Sequence, residues 1–317
     1  MSQARVVAVA DQNARTFDDP VWQSLELEHT RIAVAWDIAT GDPDTRAVRS
    51  LDAAIAADVN VLVTWMPSVK ALPTKAEFTS AFVAFRRRWP AIREFATWNE
   101  PNLRGRRTAS RPYLLVRYWK AMKANCPGCT VLAPELVDFP SAPAWARRFE
   151  KSLGHSKLTW GLHNYGDANR FRLLKESVTA KMLRAVKGSI WLTETGGLVD
   201  VPGFPYDEAR AARATARVFK LADLSPERIS RVYLYHWRAP PGGAGTWDSA
   251  LLSGDDQPRP AFWTLTGVLG KTEAAQQALT ARDLAGDPAP EPAEQFLGLR
   301  PRCILALKCG RTGKLIG

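Results

Sequence analysis

The sequence predicts an α/β protein, a single (β/α)8 TIM barrel with a short C-terminal extension, and three observations lead there. Eight short strand-like stretches alternate with segments of helical periodicity along most of the chain. Several of those stretches are continuous apolar runs, as expected of parallel strands covered on both faces. No Gly-x-Gly-x-x-Gly follows the first strand and no Walker A sequence occurs, so a dinucleotide or nucleotide fold has no support. The length of 317 residues suits two ordinary domains or one barrel, and the steady strand and helix spacing favours the barrel.

The strands read in order as Arg5 to Ala10, Arg31 to Trp36, Asn60 to Trp65, Arg93 to Trp98, Thr130 to Pro134, Leu158 to His163, Ser189 to Glu194 and Arg231 to Trp237. Between them, Thr45 to Ala57, Lys75 to Arg88, Pro112 to Asn125, Ala142 to Leu153, Arg170 to Val186 and Asp207 to Leu221 carry apolar residues three and four apart, the spacing of an amphipathic helix. The barrel, residues 1–271, is expected to end near Lys271. Residues 272–317 read as a linker, rich in proline from Asp287 to Glu294, and a basic C-terminal segment from Phe296 to Gly317.

Composition narrows the function. Hydrophobic residues make up 46% and charged residues 24% of the chain, enough to bury a core and too apolar for disorder. No run of about 18 apolar residues is present, so no membrane-spanning helix is expected. The net charge of +11 invites an anionic partner. Part of that excess sits in the tail, in Arg300, Arg302, Lys308, Arg311 and Lys314. Nucleic-acid binding would call for basic residues interleaved with exposed aromatics on one face, and here the tryptophans close strands instead. The cysteines form two close pairs, Cys126 with Cys129 and Cys303 with Cys309. The first pair flanks a Pro-Gly turn, which fits a disulfide or two plain thiols better than a redox centre. No leader peptide is visible; a secreted or cell-surface protein lacking its leader reads this way, and so does a cytoplasmic one.

In a barrel of this kind chemistry lies at the C-terminal ends of the strands. Those ends are polar or aromatic: Trp36-Asp37 on the second, Trp65 on the third, Trp98-Asn99-Glu100-Pro101-Asn102 on the fourth, His163-Asn164-Tyr165 on the sixth, Thr193-Glu194 on the seventh and His236-Trp237 on the eighth. Two carboxylates facing one another in a mouth of indoles suit glycoside hydrolysis. One protonates the leaving oxygen, the other attacks or activates water, and flat apolar faces take sugar rings. Glu100 needs a raised pKa to hold its proton, with Trp98 supplying desolvation, and Glu194 needs donors, which Tyr165 or His163 can provide.

Trp98-Asn99-Glu100-Pro101 and Trp191-Leu192-Thr193-Glu194-Thr195-Gly196 resemble the two signatures of clan A glycoside hydrolases, the retaining (β/α)8 glycosidases, over about Arg5 to Lys271. The resemblance implies that Glu100 is the general acid/base, that Glu194 is the nucleophile and that Asn99 hydrogen-bonds the sugar 2-hydroxyl. Trp36, Asp37, Trp65, His163, Tyr165 and Trp237 are the further candidates for substrate contact. The arginine that many members carry at the end of the second strand is not found, since Arg31 opens that strand here. The expected partner is a carbohydrate, neutral or anionic, with no cofactor and no metal. A transglycosidase or a non-catalytic carbohydrate-binding barrel are the alternatives on the same fold.

Overall fold

The computed structural model describes residues 5–41, 45–68, 72–239 and 247–285. Its strands are β1 (Val6–Ala10), β2 (His29–Ala35), β3 (Asn60–Met66), β4 (Glu94–Ala96), β5 (Thr130–Leu132), β6 (Glu135–Val137), β7 (Trp160–His163), β8 (Ile190–Thr195) and β9 (Arg231–Tyr235). Helices α1 (Arg15–Asp18), α2 (Pro20–Ser24), α3 (Arg46–Ala56), α4 (Lys75–Arg88), α5 (Val116–Asn125), α6 (Ala142–Leu153), α7 (Tyr165–Asn169), α8 (Val178–Ala185), α9 (Glu208–Ala222), α10 (Pro260–Leu269) and α11 (Thr272–Ala285) surround them. Every named strand pair is parallel, in two ladders, β2-β3-β4-β5 and β6-β7-β8-β9-β1.

The two ladders close into one barrel of eight strand positions. β5 and β6 are one stretch of chain interrupted at Ala133-Pro134, where proline has no N–H to give a ladder. Backbone pairing continues across the break, with Ala133 N–H donating to Thr159 and Glu135 bridging Asn99. On the opposite side the Thr30 hydroxyl of β2 donates to the Val9 carbonyl of β1 at 2.9 Å. Ion pairs span the interior: Arg231 of β9 grips Glu94 of β4 with two hydrogen bonds of 2.7 and 2.8 Å, and Arg31 of β2 reaches Glu135 and Glu194. Ala8, Ala10, Leu62, Ala96, Leu132, Trp191 and Tyr233 form the apolar part of that interior.

Side-chain parity along the strands corrects the picture of a mouth lined with indoles. In β3, Val61, Val63 and Trp65 share the outer face, packed against the helices, while Leu62 faces inward. Trp65 is fully buried among Phe78, Phe82, Phe85 and Phe95, and its indole N–H meets the Met122 sulfur at 3.1 Å. Trp36 follows Ile32 and Val34 onto the same outer layer, and Trp98 stacks on Tyr118. Trp237 is also fully buried, edge-on to Trp22 and Phe262, with its indole N–H on Asp19 at 2.8 Å. These indoles stabilise the shell between barrel and helices, and none of the four is open to a sugar.

Two boundaries also move. The expected helix from Arg170 to Val186 is helical only as α8, after a short 3-10 turn; Ser177 N-caps α8 by accepting the Ala180 amide at 3.0 Å, and the buried Asp167 carboxylate accepts the amides of Val178 and Thr179 at 2.9 and 2.7 Å. The folded body does not end near Lys271: α11 continues to Ala285, buries Ala275 and Leu279 in the main core and lies against α2, where Lys271 pairs with Glu26. Cys126 and Cys129 form a disulfide. Cys303, Cys309, the proline-rich stretch and the basic segment lie outside the described residues. Because Trp237 packs on all sides, Trp237→Ala should lower the unfolding free energy by about 3–5 kcal/mol in chemical denaturation; a variant as stable as the parent would return this indole to the mouth.

Candidate active site

Irregular backbone brings the two glutamates together. In β8, Trp191 and Thr193 face the interior, so strict alternation would send Glu194 outward. The register of β8 slips against both neighbours at this point, Gly161 pairing with Trp191 but His163 with Glu194 on one side, and Leu192 with Val232 but Thr195 with Leu234 on the other. That bulge turns the Glu194 carboxylate into the mouth. Glu100 follows β4 with φ +46°, a left-handed conformation costly for a residue with a side chain and held only where the surroundings fix it. They do so through Asn102, whose side chain exchanges two hydrogen bonds with the backbone of Val137, at 2.8 and 3.0 Å, and through the Thr108 hydroxyl on the Pro101 carbonyl at 2.7 Å.

At the centre lie Glu100, Glu194 and His163, whose nearest ligand-type atoms all fall within 4.8 Å of one another. The Glu100 and Glu194 side chains keep 11% and 17% of their surface open to solvent, so both can be reached. His163 Nδ1 lies 2.8 Å from Glu100 Oε1 and 3.8 Å from Glu194, and its Nε2 lies 3.5 Å from Glu135. Arg31 donates from Nη1 to Glu194 at 2.9 Å, from Nη2 to the Asn99 side-chain oxygen at 2.9 Å, and from Nε and Nη2 to Glu135 at 2.9 and 2.6 Å. The Tyr165 hydroxyl donates to the other oxygen of Glu194 at 3.3 Å. A guanidinium only donates, so the Asn99 amide presents its oxygen to Arg31 and keeps its N–H pair for a ligand.

Charge is arranged differently from the expectation for Glu100. Burial alone would raise its pKa, but the hydrogen bond and charge of His163, with Arg106 and Arg31 beyond, outweigh it and lower the value. Trp98 is turned outward, stacked on Tyr118. Burial would lower His163, yet the charge of Glu194 and hydrogen bonds to Glu100 and Glu135 push it up to about 9. At neutral pH the proton therefore resides on His163, against Glu100, and the two groups hold it as one pair. Burial and the neighbouring Glu194 raise the Tyr165 hydroxyl well above its ordinary value, so it stays a donor. The three central residues offer ligand atoms to a divalent ion, but only with His163 neutral, and Arg31 already supplies the countercharge at Glu194.

Of the residues singled out in the sequence, Asn99, Glu100, His163, Tyr165 and Glu194 converge on this centre. Asp37 closes β2 half-buried and holds the Ser68 hydroxyl at 2.8 Å, apart from the central hydrogen-bond network. His163 serves Glu100 more closely than Glu194. Sequence reasoning missed Arg31, which does not open its strand but sits within β2 facing inward, and Glu135, just past the proline that reads as a strand end. A charged residue inside an otherwise apolar strand is the signal that could have found both. It also missed Trp247, half-buried and edge-on to Tyr165 at 5.0 Å, the tyrosine whose hydroxyl meets Glu194.

No protein-family model matches the sequence, and no curated protein matches it. Solved structures do. A family 39 glycoside hydrolase from Bacteroides cellulosilyticus aligns with a TM-score of 0.60 at 14% identity, over 86% of this chain and 64% of its own. A family 39 β-xylosidase from Caulobacter crescentus gives 0.62 at 14% identity over 85% and 72%, and an intracellular xylanase from Thermoanaerobacterium saccharolyticum gives 0.57 at 14% over 83% and 95%. The chain thus spans under two thirds of the first of these proteins and nearly all of the xylanase. It shares the (β/α)8 fold of the clan A glycoside hydrolases.

Because His163 is raised above its unfolded value of 6.5, its contribution to stability is complete below about pH 6.5 and is lost as pH rises through about 9. Urea unfolding should therefore show stability falling across that window, and His163→Asn should flatten the fall. A parent protein equally stable at pH 6 and pH 9.5 would contradict the charge assignment.

Proposed function

We propose that this protein is a retaining glycoside hydrolase that works by double displacement. The observation that carries the reading is the closeness of the two carboxylates, one oxygen of each lying within 4.8 Å of the other, which favours the short spacing of retaining enzymes, roughly 5–5.5 Å between carboxyl groups, over the wider gap that admits a water in inverting ones. Glu194, steadied by Arg31 and Tyr165, attacks the anomeric carbon. The glycosidic C–O bond breaks, and the leaving oxygen takes the proton held by the Glu100 and His163 pair. Esterification of Glu194 removes the largest of the charges that raise His163, so the pair's hold on a proton weakens and Glu100 is left as a base. Water then attacks the anomeric carbon, gives its proton to that pair and releases Glu194 with the sugar's configuration retained.

The structural neighbours named above, a β-xylosidase and a xylanase, make β-xylosides the first substrates to try. Glu194→Ala should abolish turnover of an aryl glycoside. Glu100→Ala should lose about 100- to 10,000-fold on a poor leaving group and much less on a good one, which needs little protonation. Azide should rescue both, giving an inverted glycosyl azide from Glu194→Ala and a retained one from Glu100→Ala. A wild-type product of inverted configuration by nuclear magnetic resonance would sink the nucleophile assignment.

An anionic substrate is favoured by the loop after Glu100. Arg104 and Arg107 are exposed, Arg106 is half-buried with one guanidinium N–H on the Asn99 carbonyl, and Arg107 and Arg117 line a cavity of 210 Å³. Replacing Arg104 and Arg107 by Gln, and leaving Arg106 to act on Glu100, should raise KM for a glucuronate-branched xylo-oligosaccharide more than for a neutral aryl xyloside, and salt should do the same. Equal changes on both substrates would leave this loop as ordinary surface.

A further inference from the structure

We infer that Glu135 is a positioning residue that aims Arg31 at the nucleophile and keeps the shared proton on His163. The inference rests on the reading of Glu100 and Glu194 given above, and deepens it. Glu135 is wholly buried and lies behind the reacting pair, out of reach of a sugar in the mouth. Both of its oxygens are engaged by the Nε and Nη2 edge of Arg31, the fork arrangement that fixes a guanidinium in plane as well as in position. With that edge held, Nη1 can point only where it does, at Glu194. The same carboxylate stands 3.5 Å from His163 Nε2, on the side of the ring away from Glu100.

The surrounding chain makes room for this one side chain. A Cβ at Gly161, on the neighbouring strand, would come within 2.4 Å of Glu135 Cγ and 2.8 Å of the Thr193 hydroxyl, so only glycine lets the glutamate lie across β7. The break before β6 and the bridge to Asn99 set Glu135 at the height of Arg31. The charged groups that face His163 are Glu100, Glu194, Glu135 and Arg31, with Arg106 acting on Glu100 from outside. Neutralising Glu135 removes one of three anions from the ring and strips Arg31 of its closest counterion. Both changes weaken the hold of His163 on its proton.

Glu135→Gln keeps the shape and removes the charge. The His163 ring titration, followed by nuclear magnetic resonance, should fall by about one pH unit or more. The alkaline limb of kcat/KM on a neutral aryl glycoside should fall with it, and kcat should drop more than KM changes. Glu135→Asp keeps the charge and draws the carboxylate back by one methylene. It should leave the limb near its wild-type place while kcat still falls, which keeps a test in hand if the glutamine variant does not fold. An unshifted His163 titration in folded Glu135→Gln, or wild-type kcat in Glu135→Asp, would overturn the proposal. A wild-type protein that turns over no glycoside, with the titration shift intact, would instead remove the catalytic reading and leave the proton placement standing.

Discussion

A guanidinium sealed inside a protein is tolerable only when anions meet it with good geometry, since taking it from water costs several kcal/mol. Arg31 retains 2% of its surface and finds its partners on three other parts of the barrel: Glu135 on β6, Glu194 on β8 and Asn99 beyond β4. The dependence is mutual. Three carboxylates crowded around His163 would repel one another without the two cations among them. Arg31 therefore ties the second barrel strand to the fifth and the seventh and at the same time supplies a countercharge to Glu194 where it lies close to Glu100.

The remaining work is done by backbone that departs from ideal geometry. A regular β8 would bury Glu194 against the helices, and an unstrained Glu100 would swing with its loop. The bulge in β8 and the left-handed Glu100 place both carboxylates on one target, and the strain at Glu100 is held by contacts to β6 as well as by a bond within its own loop. Such features cluster where rigid strands must present polar groups at a definite spacing.

Much of this was legible in the chain. Strand and helix alternation shows the fold because buried parallel strands are apolar runs, and Glu100 and Glu194 stand out because they close such runs with unusual neighbours. The tryptophans misled because an indole near a strand end says nothing about which face it takes, and Trp36 and Trp65 fall on the outward parity of their strands. Arg31 was hidden because a charge near the head of an apolar run reads as its boundary, and Glu135 because Pro134 reads as the end of a strand that in fact resumes. The bulge that turns Glu194 inward depends on pairing with two other strands, which no local pattern encodes. α11 lay beyond the last strand, and an Ala-rich amphipathic helix there looks like a tail until α2 is seen beneath it.

That last contact bears on how the protein is made. Among the described residues α2 is formed near the start and α11 at the end, and they pack on one another. Pairings between such distant parts of a chain close late, because the intervening loop must be ordered before they contribute. A nascent barrel therefore carries an open edge on β1 until β9 is made, and a bare face on α2 until α11 follows, and both stay exposed to chaperones and to misassembly for that time.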